Sequence, residues 1–381
     1  MKKTTLFLGL CCFVFFSLAI HLSAQSPHNE LKTVVDRFLR EYKVPAIAVA
    51  VIQADTIRYG ISGFKRMGKK DTITFHSKFH LGSNTKAITA FIAAKMVEEG
   101  KIAWTDKLTT VLPELQGSIL AAYQDITLES LLSHRALLPA FEAEGSSEFR
   151  HLKKTLLPAK DKRLAFAKYA LNLAPVHLGT NNHYYSNGGY IIAALMMEAK
   201  SGQSWEDLVK VHFDQLDIDY GIGFPNESDL NQNWGHRKKT LAFLSNNKYK
   251  ALPPGNHFAV DAYFAPAGDI AMDLLAFSTF IQLHLNGLMG VDNYLHANTY
   301  QKLHFGLPDY SLGWYNGPIG DTDQKFSYHG GSTGTFSSAV MISPDRKIAI
   351  ILLVNAEDKN TRKLKEALRV YLWETFGQRA K

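Results

Sequence analysis

Cysteine is almost absent from this chain of 381 residues: Cys11 and Cys12 stand side by side near the start, and no other follows. Disulfide frameworks and thiolate metal sites are therefore excluded over the remaining length. Histidine spacing offers no metal motif either, because none of the 15 histidines opens an H-E-x-x-H. Long apolar runs are scarce. The clearest, Leu6 to Ile20, falls short of the roughly 20 residues that span a bilayer as a helix. There is no internal repeat, no low-complexity segment and no recognised nucleic-acid motif beside the basic patches. What remains must hold itself together by burial, which a chain of this size can do.

The opening residues fit another role. Lys2 and Lys3 precede the apolar run, and Leu22-Ser23-Ala24 precedes Gln25. This pattern reads as a secretory signal over residues 1–24, cut after Ala24. Export to the periplasm or the exterior is then expected, with no thiol and no integral membrane span in the mature chain. Net charge is +7, and losing Lys2 and Lys3 leaves +5. That mild excess helps attract anionic substrates or surfaces. Its local concentrations, Arg237-Lys238-Lys239, Lys153-Lys154 and Lys160 to Arg163, read as solvated faces. With 46% hydrophobic and 20% charged residues, the composition is that of a soluble globular protein, and residues 25–381 read as one domain.

Periodicity places helix at 30–42, where Leu31, Val34, Val35, Phe38 and Leu39 share a stripe. Ile47 to Ile52 and Thr56 to Ser62 read as a hairpin turning at Asp55. Gly63 to Lys70 superficially matches a phosphate-binding loop, but Lys70 stands where Ser or Thr is needed and no helix follows, so it reads as a basic hairpin tip. From Ser83 to about residue 260 the pattern is mainly helical, over 83–99, 127–134, 161–173, 187–201 and 204–213. An irregular connection follows from about 218 to 266. Helix is expected from Ile270 to Leu285, strands at Phe336 to Ile342 and Ile348 to Val354, and a closing helix from Thr361 to Phe376. The expected fold class is α+β. An antiparallel sheet comes from both chain ends (25–80 and about 266–381), flanked by helices, with a mainly helical region (about 81–265) inserted.

Three stretches carry chemistry. In Phe79-His80-Leu81-Gly82-Ser83-Asn84-Thr85-Lys86, Ser83 falls at the start of a helix with Lys86 one turn on, on the same face. A hydroxyl beside an amine is the core of a Ser-Lys acyl-transfer site, and a helix start favours a developing oxyanion. S-x-x-K alone also describes an N-cap serine with a surface lysine. A second copy, Ser245-Asn246-Asn247-Lys248, reads as a solvated loop. Tyr185-Ser186-Asn187 feeds an apolar helix. A phenol near cations loses its proton more easily than a free one, whereas the plain alternative is a packed turn tyrosine. His329-Gly330-Gly331-Ser332-Thr333-Gly334 offers a glycine edge that a ligand can approach closely and a histidine as a switchable charge. The plain alternative is a glycine-rich strand entry. His80 and His134 read as packing or hydrogen-bonding residues.

Taken together and in order, these stretches resemble the serine β-lactamase, DD-peptidase and esterase superfamily, in its class C-like branch. Val44 to Val51 looks like its first strand, Leu81-Gly82-Ser83-Asn84-Thr85-Lys86 its nucleophile motif, and Ile126 to His134 its internal helix signature. Tyr184 to Tyr190, Pro266-Ala267-Gly268-Asp269, Leu312-Gly313-Trp314 and His329-Gly330-Gly331 resemble the later landmarks. The resemblance implies Ser83 as nucleophile, Lys86 as its proton partner, and Tyr185 as general base and then acid. Asn187 orients substrate, and His329, Gly330 and Gly331 line the third side. The N–H groups of Ser83 and Ser332 form the oxyanion hole. It implies an acyl-enzyme cycle on a small-molecule or peptide substrate with an amide or ester carbonyl, and no metal or organic cofactor. A non-catalytic ligand- or penicillin-binding protein of the same fold is the alternative. Two departures stand out. Histidine and His-Gly-Gly occur where β-lactamases of this branch usually carry lysine and Lys-Thr-Gly, which looks more like the esterases and D-amino-acid peptidases. Arg135-Ala136-Leu137 replaces the usual Thr-Ser-Gly, so the loop shaped by that glycine is expected to change.

Overall fold

The computed structural model describes residues 27–53, 56–141, 158–176, 183–239, 248–256, 261–319 and 324–377. The signal segment 1–24, the Asp55 turn, the Lys153-Lys154 patch and Ser245 to Asn247 lie outside them.

The chain begins with α1 (Pro27–Tyr42) and the hairpin β1 (Ala46–Gln53) and β2 (Thr56–Gly63). β3 (Phe79–His80) leads through a 3-10 turn, Gly82–Asn84, into α2 (Thr85–Glu98). Further helices include Leu128–Leu132, Ala159–Ala170, α3 (Asn187–Ser201) and Trp205–Gln215. Short strands follow: β4 (Gly221–Ile222), β5 (His236–Lys238), β6 (Tyr249–Ala251) and β7 (Ile270–Met272), with a helical turn at Ala265–Gly268. Helices Leu274–Leu288 and Ala297–Phe305 precede β8 (Tyr315–Gly317), β9 (Phe326–Ser332), β10 (Ser337–Ser343) and β11 (Ile348–Val354). The closing helix is α4 (Lys359–Phe376).

The main sheet is antiparallel, in the order β2-β1-β11-β10-β9-β8, so both ends of the chain build it. β1 is buried on both faces because helices cover both. Ile47, Val49 and Val51 meet Leu31, Val35 and Phe38 of α1 and Leu364 and Leu368 of α4. Ala48, Ala50 and Ile52 face the core shared with the helical region. Within that core α2 is buried nearly all round, as a helix apolar on every side must be. Ser83 alone of Phe79 to Ala94 is not buried.

Two expectations change. Ile270 to Met272 is a strand, pairing with Phe79 and His80 on one side and β4 on the other. The helix begins only at Leu274, where the Asp273 carboxylate caps it by accepting from Ala276 N–H. The His-Gly-Gly stretch is not an entry to the Phe336 strand but part of a strand of its own, β9, with His329 opposite Val340 and Gly331 opposite Ser338. The chain turns at Thr333 to Phe336, closed by Thr333 N–H to the Phe336 carbonyl at 3.0 Å.

Candidate active site

The turn bearing Ser83 is fastened on three sides. Ser338 on β10 donates to the Leu81 carbonyl at 2.6 Å and accepts from Asn84 Nδ2 at 2.6 Å. Thr85 donates to the Gly82 carbonyl at 2.8 Å and accepts from Ile270 N–H at 3.0 Å. Buried His80 accepts from Gly82 N–H through Nδ1 at 3.1 Å, so its proton sits on Nε2 and is donated to Asp269 Oδ1 at 2.9 Å. Gly82 itself has φ +53, a left-handed conformation that glycine adopts without strain.

Gly331 sets how closely the sheet approaches that turn. A Cβ there would lie 1.9 Å from the Leu81 carbonyl oxygen, and a Cβ on Gly82 would lie 2.7 Å from Ser332 N. The β9 backbone and the Ser83 turn therefore touch directly, with the Ser332 amide beside the residue preceding Ser83. Gly330 differs: it is exposed, and a Cβ would meet only the Ser338 carbonyl at 3.8 Å.

Lys86 is fully buried. Its Nζ lies 3.3 Å from Ser83 Oγ, 2.6 Å from Asn187 Oδ1 and 2.6 Å from the Ala267 carbonyl. The Asn187 amide is oriented by its Nδ2, which donates to the Phe141 carbonyl at 2.9 Å, so Oδ1 must face the lysine. Both short neighbours only accept. A neutral amine gives one N–H to each and leaves its lone pair for the Ser83 hydroxyl. Burial pushes the Lys86 pKa well below its ordinary value, which favours that form. The Ala267 carbonyl is held in turn. Thr89 donates to the Pro266 carbonyl at 2.8 Å, and buried Arg163 donates to the carbonyls of Ala262 and Tyr263 while pairing with Glu198 and Glu206.

Tyr185 meets this group from the helical side. Lys86 Nζ is 4.9 Å from its ring centroid, and the ring lies against His134 at 4.3 Å and parallel to Tyr315 at 6.3 Å. His134 clamps the peptide on both sides of the tyrosine: its carbonyl accepts from Tyr184 N–H at 2.9 Å and its Nδ1 from Ser186 N–H at 3.1 Å. The loop after His134 keeps a left-handed residue without glycine, since Leu137 has φ 58.

His329 corrects the expectation of a switchable charge. It is buried, and burial pushes its pKa down to about 3, so it is neutral at ordinary pH. Nδ1–H donates to the Gly330 carbonyl at 2.8 Å, leaving Nε2 to accept from the Tyr310 hydroxyl at 3.2 Å. The fold thus brings Ser83, Lys86, Tyr185, Asn187, His329, Gly331 and Ser332 together, with Gly330 exposed on β9. His80, Asp269, Ser338 and Tyr310 are additional members. Only the position of His80 just ahead of the Ser83 motif, and of Asp269 at the end of Pro266-Ala267-Gly268-Asp269, hinted at them in sequence. Among the described residues, no group of three or more His, Cys, Asp or Glu is placed to hold a metal ion, and no helix is long and apolar enough to cross a membrane.

Residues 31–372 match the sequence model of the Beta-lactamase family. A protein named Beta-lactamase from Escherichia coli (strain K12) is 23% identical over 412 residues, covering 97% of this chain and 99% of its own length. Protein flp from Staphylococcus aureus (strain NCTC 8325 / PS 47) is 19% identical over 352 residues, covering 90% of this chain. The match spans 66% of the length of flp. Among solved structures, SurE superposes with a TM-score of 0.72 at 21% identity, covering 91% of this chain and 76% of SurE. The octameric penicillin-binding protein homologue from Pyrococcus abyssi gives 0.68 at 20% identity, covering 90% and 77%. At such identities these structures speak for the fold.

Proposed function

This chain belongs to the beta-lactamase family, and on that premise we propose that it is an exported serine hydrolase that cleaves an amide or ester through an acyl-enzyme on Ser83. The observation that carries the reading is the fully buried Lys86 amine, with two obligate acceptors at 2.6 Å and the Ser83 hydroxyl as its third neighbour at 3.3 Å. Lys86, and not Tyr185 as the resemblance implied, takes the Ser83 proton as Oγ attacks the substrate carbonyl. The Ser83 and Ser332 N–H groups receive the oxyanion. Tyr185 passes a proton to the departing amine or alcohol as its bond to carbon breaks. Water then attacks the ester on Ser83, giving a proton to the Tyr185 phenolate. The Lys86 ammonium returns its proton to Ser83 Oγ as the acid is released, which restores all three groups. Export rests on the signal read in residues 1–24.

The substrate class follows from charge. His329 is neutral, and the Arg135 guanidinium is already engaged by the carbonyls of Ser133, Pro308 and Tyr310. Of these two described residues neither offers a free cation to a substrate carboxylate, which supports uncharged esters and amides over β-lactams and peptides ending in a free carboxylate. The test is a hydrolysis panel on the purified protein: p-nitrophenyl esters, a chromogenic cephalosporin and D-Ala-D-Ala peptides, each with Ser83→Ala as control. Ester turnover that dominates and vanishes in Ser83→Ala supports the reading. Dominant turnover of the cephalosporin or the D-Ala-D-Ala peptide overturns the substrate class, and no Ser83-dependent turnover at all overturns the enzyme.

A further inference from the structure

Two of the basic stretches in the sequence, the 63–70 tip and Arg237-Lys238-Lys239, come together in the fold. β5 and β6 form a two-stranded antiparallel ribbon in which Arg237 stands opposite Lys250. The ladder continues with Lys239 N–H donating to the Lys248 carbonyl at 2.9 Å, which sets Lys239 opposite Lys248. Positions two apart on a strand share a face. Arg237, Lys239, Lys248 and Lys250 therefore lie on one face as two successive cross-strand pairs, with Cβ atoms about 5 Å apart within each pair.

The opposite face of the ribbon is turned to the body of the protein. Tyr249 is buried in the core beneath α4, and its hydroxyl donates to Asp358 at 3.1 Å. Lys238 also approaches Asp358, at 3.8 Å. His236 N–H donates to the carbonyls of Thr335 and Asn355, at 3.1 and 3.0 Å. The four-cation face consequently points outward, with Arg237 and Lys250 exposed.

The second basic stretch joins it there. Met67 N–H donates to His236 Nε2 at 2.9 Å, and Trp234 N–H to the Lys65 carbonyl at 3.1 Å. These bonds fasten the loop carrying exposed Lys69 and Lys70 to the root of β5. The acid on this loop, Asp71, is taken by Arg66.

Like charges directly opposite on a ribbon destabilise it. Here two such pairs stand in succession. Among the described residues no carboxylate forms an ion pair with Arg237, Lys239, Lys248 or Lys250, and the intervening sequence 240–247 holds no acidic residue. Such an arrangement is relieved when an external anion faces it.

We propose that this ribbon face docks the protein on an anionic lipid surface. The four charged heads spring from one outward face of the ribbon, not from the walls of a groove. Tyr249 is turned inward, so among the described residues of the ribbon no aromatic side chain offers this face the stacking platform that single-stranded nucleic acids use. Clusters of four or more basic side chains are attracted to anionic headgroups at a membrane surface. The proposal is independent of the chemistry at Ser83.

Vesicle co-sedimentation of the mature protein tests it, using phosphatidylcholine alone against phosphatidylcholine with phosphatidylglycerol. Binding is expected only to the anionic vesicles and is expected to fall as salt shortens the Debye length. Replacing Arg237, Lys239, Lys248 and Lys250 together by Gln is expected to weaken binding at least about tenfold, since each surface cation contributes roughly fivefold. A variant with the same charge loss elsewhere, at exposed Lys160, Lys168, Lys347 and Lys363, is expected to bind like the wild type. Should the ribbon variant fail to fold, Arg237→Gln with Lys250→Gln alone is expected to weaken binding at least about fivefold by the same reckoning. Equal binding to both vesicles, equal loss in the two four-site variants, or capture by soluble dextran sulfate without binding to anionic vesicles would each overturn the proposal.

Discussion

His80 Nε2 lies 2.9 Å from Asp269 Oδ1, a buried pair joining residues 189 positions apart. His80 also accepts from Gly82 N–H, and Asp269 follows the short helix whose Ala267 carbonyl holds Lys86. One pair thus sets the Ser83 turn and the lysine's acceptor relative to each other. His80→Ala strips Asp269 of its hydrogen-bond partner, a loss that costs about 1–3 kcal/mol when a buried acceptor is left unsatisfied. Displacing the serine by about 1 Å can lower turnover about 100-fold. Asp269→Asn keeps an oxygen for His80 Nε2–H and is expected to lose much less of both. Denaturation midpoints and kcat for the two variants check this, and unchanged kcat in His80→Ala would refute the positioning role.

Adjacent glycines on β9 are expected to answer differently to the same change. Gly331→Ala drives a methyl into the Leu81 carbonyl, 1.9 Å from its built position, where backbone rather than a flexible side chain must yield. Gly330→Ala meets ordinary contact at 3.8 Å. The first is expected to lower stability by about 1–3 kcal/mol, as overpacking does, and to cut the rate of Ser83 acylation. The second is expected to change stability by less than about 0.5 kcal/mol, as unstrained surface substitutions do. Thermal melts with acylation kinetics compare them, and equal behaviour would contradict the close approach of strand and turn.

Asn187→Asp reads out the protonation state of Lys86. A carboxylate at the Asn187 Oδ1 position, 2.6 Å from Nζ, stabilises the ammonium and raises the lysine pKa from its depressed value. The base is then protonated at neutral pH. Activity at pH 7 is expected to fall at least about tenfold, in keeping with the loss of a general base, and to recover as pH rises. The acid limb of the kcat/KM profile should therefore move to higher pH. A limb that stays in place would mean that Lys86 is not the group being titrated.

How much of this was legible in the sequence depends on the range of the interactions. The β1–β2 hairpin, α1 and α4 announce themselves through local periodicity, and Ser83 with Lys86 through one helical turn. β9 does not, because His-Gly-Gly has little strand propensity of its own and is held extended by its ladder to β10. β7 is three apolar residues running into an apolar helix, and only the Asp273 cap separates them. His329 looks titratable in sequence and is neutral in the fold because burial, set by distant packing, decides its charge. The His80–Asp269 pair joins segments far apart in the chain, and the cation ribbon, although its two strands are near in sequence, is turned outward by distant contacts with Thr335, Asn355 and Asp358, which no local pattern encodes.

Intact-mass analysis after exposure to a fluorophosphonate reports whether Ser83 is the nucleophile. One adduct per wild-type chain is expected, mapped to Ser83 by peptide digestion, with none on Ser83→Ala and a much slower reaction for Lys86→Ala. A wild-type chain that takes up no adduct, or takes it up at another residue with Ser83→Ala reacting equally fast, would contradict that role.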